Sequence, residues 1–158
     1  MTIEFSYNKK QVLQALRYHF LSKREIRIMI IVINLFALGS AILFYLKKID
    51  PYAFLFSSFL WFLLLISFWF LLPGMVYRRN ATFRDHFKMD FEDNDFTVGN
   101  ERGSRSWPWT VLKEFLETTH FFYLYFDKAS FFLVPKNAFE DHDAIYEFRH
   151  LLKEKVGK

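Results

Sequence analysis

The sequence predicts an α+β membrane protein, in which a two-helix transmembrane hairpin carries a small antiparallel β-sheet domain closed by a C-terminal helix. Three observations predict it. Two long apolar runs, Ile28–Leu46 and Pro51–Leu72, contain no charged side chain and are separated by four residues, Lys47 to Asp50. After Arg79 the apolar period shortens to two, the period of strands. From Asp141 it lengthens again to a helical stripe that runs to the end of the chain.

The first element is a short strand. In Thr2–Tyr7, Ile3, Phe5 and Tyr7 fall on one face and Thr2, Glu4 and Ser6 on the other. A lone strand leaves its N–H and C=O groups unpaired. Two spans return the chain to the side on which it started, so this strand is expected on an edge of the C-terminal sheet, with its apolar side chains turned inward. Asn8 suits a helix N-cap. From Lys9 to Phe20, Val12, Leu13, Leu16 and Phe20 share one helical face. Such a helix fits a membrane interface, or a run straight into the first span, as well as it fits packing on a soluble domain.

The first apolar run is 19 residues, roughly 28 Å as a helix against a hydrocarbon core of about 30 Å. The second is 22 residues, roughly 33 Å by the same rise. Pro51 suits a first helical position, and Pro73-Gly74 reads as the stop. Residues 1–27 precede the hairpin, 28–77 form it, and 78–158 make the sheet domain that strand 2–7 completes. With a charged segment before the first run and no small-residue cleavage signature after it, the hairpin reads as an uncleaved anchor. Lys and Arg cluster outside the runs, at Arg17, Lys23, Arg24 and Arg27 and again at Arg78, Arg79, Arg84 and Lys88, against Lys47 and Lys48 in the turn. Both termini are therefore expected on the cytoplasmic side. Tyr45, Tyr52, Trp69 and Tyr77 fall where an aromatic belt would, whereas Trp61, near the middle of the second run, has no place in one. Asn34 is expected to bond across the hairpin or to an oligomer partner. Ala37, Ser40 and Ala41 offer a small-residue patch for close helix packing.

Past Arg79, the pattern gives a strand to about Glu92, another at Phe96–Val98, and a third at Ser104–Trp109. Val111–Thr118 fits either period and is read as a strand. Phe121–Phe126 and Ser130–Val134 form a hairpin around Asp127-Lys128-Ala129. In the last helix Ile145, Phe148, Leu151, Leu152 and Val156 line one face, with acids early and Lys153, Lys155 and Lys158 late, as the helix dipole favours. A sheet closed in this way has the outline of a pleckstrin-homology-like module.

Charge is uneven along the chain. Residues 1–27 hold six Lys/Arg against two acids, a balance of +4, whereas residues 78–158 hold thirteen against fourteen, a balance of −1. The basicity thus belongs to the flanks of the spans, which argues against a nucleic-acid partner. Lys23, Arg24, Arg27, Arg78 and Arg79 are candidate contacts for anionic lipid headgroups. There is no Cys, the five His share no ligand spacing, and the acids at 90–95 lack the glycine and distal glutamate of a calcium loop. No phosphate loop or nucleophile elbow is present. No enzyme, cofactor or metal is expected. Trp107, Trp109 and Lys136 are candidate partner contacts, although core packing of one or both Trp is the preferred reading, and Lys136 reads first as a solvated residue beside the strand-ending Pro135.

The chain resembles the YcxB-like bacterial membrane proteins. The resemblance rests on the extended N-terminal segment before a helix, the two-span hairpin, a strand ending in Trp109, a hydrophobic strand pair, and the Pro135-Lys136-x-x-Phe139 corner before the last helix. It implies a pleckstrin-homology-like C-terminal domain carried at the face of the bacterial cytoplasmic membrane, and no established activity. Two functions fit. One is a membrane-anchored, non-enzymatic binding module that meets lipid, a protein partner or a second copy of itself. The other is an immunity or inhibitor protein whose spans pair with a membrane-targeting toxin.

Overall fold

The computed structural model describes residues 1–156; Lys158, placed above in the last helix, lies outside them. The chain forms two compact units. One comprises Met1–Gln11 together with the chain from Thr82 onward, and the other comprises Val12–Ala81.

The first unit contains two antiparallel sheets. Strands β1 (Thr2–Ser6), β2 (His86–Phe91), β3 (Asp95–Asn100) and β4 (Gly103–Pro108) follow one another across the first sheet, and β5 (Glu114–Glu117), β6 (Phe121–Tyr125) and β7 (Phe131–Pro135) across the second. β1 lies at an edge, paired antiparallel with β2 so that Ile3 faces Met89 and Phe5 faces Phe87. Its alternation puts Ile3 (5% exposed) and Phe5 (8%) into the core. Glu4 stands opposite Lys88 on the outer face, where the two form an exposed ion pair at 3.2 Å. The hairpin connecting β3 and β4 turns through Glu101 and Arg102, with Gly103 at φ +147°, a backbone region that glycine enters without a Cβ clash.

The core is largely aromatic. Helix α5 (His142–Lys155) begins at Asp141, whose carboxylate accepts the Ala144 N–H at 2.8 Å. Its Phe148 is fully buried. That ring meets Phe91 of the first sheet (4.6 Å between centroids) and Phe122 of the second (5.1 Å), so one side chain joins the helix to both sheets. β6 is buried along its whole length, on both faces. That explains its unbroken run of large side chains where a half-exposed strand would alternate.

The second unit is helical. α1 (Lys9–Ser22) starts inside the first unit's segment, where Asn8 Oδ1 accepts the Lys10 N–H at 2.9 Å. It buries Val12, Ala15, Leu16 and His19. α2 (Arg24–Tyr45) ends with Lys47 in the left-handed region at φ 55°. Lys48 N–H donates to Leu43 O and Lys47 N–H to Phe44 O, the paired bonds of a Schellman end. Asp50 then caps α3 (Pro51–Ile66), accepting from Ala53 N–H at 2.8 Å with Pro51 at the first helical position.

The helix does not stop at Pro73-Gly74. A π-helical segment, Ser67–Leu71, follows α3 directly and leads into α4 (Leu72–Arg79). Pro73 can donate nothing to the carbonyl four residues back, which is that of Trp69. Arg17 Nε of α1 donates to that carbonyl instead, at 2.9 Å. The widened turn and this donor from outside the helix carry the chain through the proline.

Two strand boundaries also differ from expectation. β2 begins at His86, after a 3-10 turn over Ala81–Arg84. β4 ends at Pro108, and Trp109 opens a 3-10 turn, Trp109–Val111, rather than closing the strand. Proline has no N–H to extend the ladder.

Candidate functional site

Three groups of side chains are candidates for a functional role. The first is the face of the hairpin where its helices meet. Ile30, Ile33, Ala37 and Ser40 of α2 are shielded at spacings of three and four, and so are Phe54, Ser57, Trp61 and Leu64 of α3. This is the seam of two helices packing at a shallow angle. Ser40 and Ser57 share a hydrogen bond at 2.6 Å, and Phe44 stacks on Phe54 with centroids 4.5 Å apart. Asn34 Nδ2 donates to Ile30 O of its own helix (2.8 Å), while its Oδ1 accepts from Trp61 Nε1 across the hairpin (3.4 Å). That bond accounts for the Trp that an aromatic belt does not explain. Ala37 and Ser40 sit in the seam; Ala41 does not, because it points to the exposed face one residue beyond Ser40.

The second group is the set of basic residues at the helix ends. Arg24 and Arg27 lie in the first turns of α2, Arg78 and Arg79 in the last turn of α4, and all four are exposed. Lys23 precedes α2 with its ammonium 5.8 Å from the Phe20 ring. None of the five forms an ion pair among the described residues. His19 lies nearby in sequence, and its imidazole is pushed down to about 4, by burial first and by the Lys23 charge second.

The third group is in the split unit. Trp109 is 4% exposed, stacked against Phe91 and tilted on Phe96, and its indole N–H donates to Glu92 O at 2.9 Å. It is a core residue tying the β2–β3 turn, and this takes it out of the surface offered to a partner. Trp107 is half-buried, stacked on Phe96 at 5.9 Å, with the Arg105 guanidinium 5.3 Å above its ring. It borders a groove of about 360 Å³ that Phe87, Val98 and Phe132 line from below and Arg102, Ser104 and Arg105 from the rim. A second, larger concavity of about 590 Å³ lies over the outer faces of β1 and β2, among Glu4, His86, Lys88 and Glu101; there the charges oppose one another.

Lys136 is not a free solvated residue. Its ammonium lies 2.6 Å from Glu117 Oε1 and 5.1 Å from the Phe122 ring. Arg149 of α5 grips the same carboxylate from the other side, Nε to Oε2 at 2.6 Å and Nη2 to Oε1 at 2.7 Å. Glu117 therefore joins β5, the corner after β7, and α5. The hydrogen bonds from Arg149 foremost, with Lys136 behind them, hold its carboxyl down at about 2. Glu117 and Arg149 drew no attention in the sequence, since 32 positions separate them and neither has a distinctive neighbour. Among the described residues, no cluster of three or more His, Asp or Glu could hold a metal ion.

Residues 91–152 match the profile of the YcxB-like protein family. The match runs from the end of β2 into α5. It takes in Trp109, Glu117, Arg149 and the Pro135-Lys136-x-x-Phe139 corner, and leaves β1 and the helical unit outside. No curated protein and no solved structure matches the chain.

Proposed function

We propose that the chain is a membrane-anchored, non-enzymatic binding module, with its helical hairpin in the bacterial cytoplasmic membrane and a pleckstrin-homology-like domain on the cytoplasmic side. One observation carries the anchoring. The outward faces of α2 and α3 are apolar and bare: Leu35, Phe36, Leu38, Leu55, Phe56 and Phe59 are each more than half exposed. Monomers in water rarely leave so large a contiguous apolar surface uncovered. α2 is 22 residues long and the second helix runs 29, from Pro51 to Arg79; at about 1.5 Å per residue both exceed a hydrocarbon core of about 30 Å.

The uncompensated cations at the helix ends support the orientation. Arg24, Arg27, Arg78 and Arg79 at the open end outnumber Lys47 and Lys48 in the turn, and basic residues favour the cytoplasmic side. On that side they lie within reach of anionic headgroups, each contributing about 1 kcal/mol. For the C-terminal part, a four-stranded and a three-stranded antiparallel sheet with one closing helix support the pleckstrin-homology-like reading, and the groove beside Trp107 supports a binding role. Reporter fusions at residue 1, within Lys47–Asp50 and at residue 158 test the arrangement. Cytoplasmic signals at both ends and an external signal at the turn are expected. A cytoplasmic turn with external ends reverses the orientation, and a chain that stays in solution without detergent removes the anchor.

A further inference from the structure

The groove beside Trp107 has an unusual feature in its wall. The register of β3 and β4 sets Arg105 directly opposite Val98, and residues opposite one another in an antiparallel pair share a face. Val98 is buried in the core. Arg105 therefore emerges from the core-facing side of the sheet, at its open end, where an apolar side chain is the ordinary choice. Its guanidinium lies over the Trp107 ring and makes no ion pair among the described residues. Arg102, on the same rim, is by contrast held by Asp85 at 3.5 Å. The groove thus combines one uncompensated planar cation with an apolar floor of Phe87, Val98 and Phe132.

We propose that this groove takes the headgroup region of an anionic membrane phospholipid. Two phosphodiester oxygens accept from the Arg105 fork, and the glycerol–acyl end lies along Phe87, Val98 and Phe132. A guanidinium matches two phosphate oxygens in its own plane, and stacking on an aromatic ring holds it ready to do so. The apolar floor is satisfied by a ligand with a hydrocarbon part, which free phosphate lacks. Supply also favours lipid. Thr82 in the groove wall follows Arg79 by three positions in the sequence, and a chain tethered to a bilayer meets its lipids at high effective concentration. The inference rests on the anchored-module reading and names its ligand.

The test uses the full chain in nanodiscs of zwitterionic lipid doped with a photoreactive phosphatidylglycerol, with cross-links mapped by peptide mass spectrometry. Labelling is expected on β4 and around Phe132. Arg105→Gln, whose amide can keep one of the two contacts, should lower it about tenfold, the equivalent of the one charge-assisted hydrogen bond lost, with labelling at the helix flanks unchanged. Arg105→Lys should restore part of it. Equal groove labelling in Arg105→Gln and the parent chain overturns the proposal. So does labelling confined to the flanks around Arg78 and Arg79, which leaves the anchor standing. Displacement of the label by inorganic phosphate at equal concentration overturns the lipid as ligand. A chain that does not enter nanodiscs defeats the anchored reading itself, and this proposal with it.

Discussion

Arg17 Nε donates to the carbonyl of Trp69 at 2.9 Å, the carbonyl that Pro73, four residues on, cannot serve. The same guanidinium lies 5.2 Å from the centre of the Trp69 ring and 5.4 Å from that of Phe70. A proline inside a helix ordinarily removes one backbone bond and crowds the preceding turn. Here the preceding turn is π-helical, which relieves the crowding, and a side chain 52 positions earlier donates to the carbonyl. α1 is thereby fastened to the second long helix at its one irregular turn.

Arg17 and Pro73 should therefore be thermodynamically coupled. Arg17→Ala is expected to cost about 1–2 kcal/mol. Pro73→Ala supplies an N–H to the helix, so Arg17→Ala should cost distinctly less in that background. Thermal unfolding of the four chains in detergent, followed by circular dichroism, measures the cycle. Strict additivity would separate the two residues.

How much of this was legible depended on range. The hairpin could be read because its signal is local: two uncharged runs, a short turn, Pro51 behind Asp50. The strand at Thr2–Tyr7 could be read from alternation, and its pairing from the want of any other partner; it joins β2 at an edge. Pro73-Gly74 was misleading because the stop signal is local while its remedy, Arg17, is distant. Trp109 could not be separated from a surface residue, since a period of two does not say where Pro108 ends the strand. The bond from Trp61 to Asn34 and the grip of Arg149 and Lys136 on Glu117 join positions that only the tertiary fold brings together. Of the groove, the sequence pointed to Trp107 alone. That Arg105 shares a sheet face with Val98 follows from a register set by the Glu101-Arg102 turn.

The N-terminal strand is tied to the second sheet as well as to the first. Tyr7 O–H donates to Leu133 O at 2.6 Å, across 126 positions, and burial pushes its phenol well above the ordinary range. Tyr7→Phe keeps the ring contacts with Phe5 and Phe87 and removes one buried bond, so a loss of about 1–2 kcal/mol is expected. Phe5→Ala removes a core ring and should cost about 3–5 kcal/mol. Denaturant midpoints of the split unit within the full chain would show it. A Phe5→Ala chain as stable as the parent, or rapid amide exchange throughout residues 2–6, contradicts a strand built into the sheet.

Glu117 makes stability depend on acid, with a definite sign. Its carboxyl sits at about 2 in the folded chain, below an ordinary value of 4.5. Above the ordinary value the folded and unfolded chains are both ionised at this position, and the full stabilisation by Arg149 and Lys136 is present. As pH falls from 4.5 toward 2, the unfolded chain takes up a proton that the folded chain refuses, and stability declines across that window. Glu117→Gln should be less stable than the parent at neutral pH by roughly 2 kcal/mol, because an amide cannot replace three charge-assisted bonds and leaves two cations without their anion. The substitution should also flatten the decline below pH 4.5, since the titrating group is gone. Arg149→Gln should do the same in part, as Lys136 alone still favours the carboxylate. Unfolding curves from pH 7 to pH 2.5 on the three chains distinguish this from a purely structural role: Glu117→Gln with the parent's own pH profile would mean that the carboxyl is not held down by its two partners.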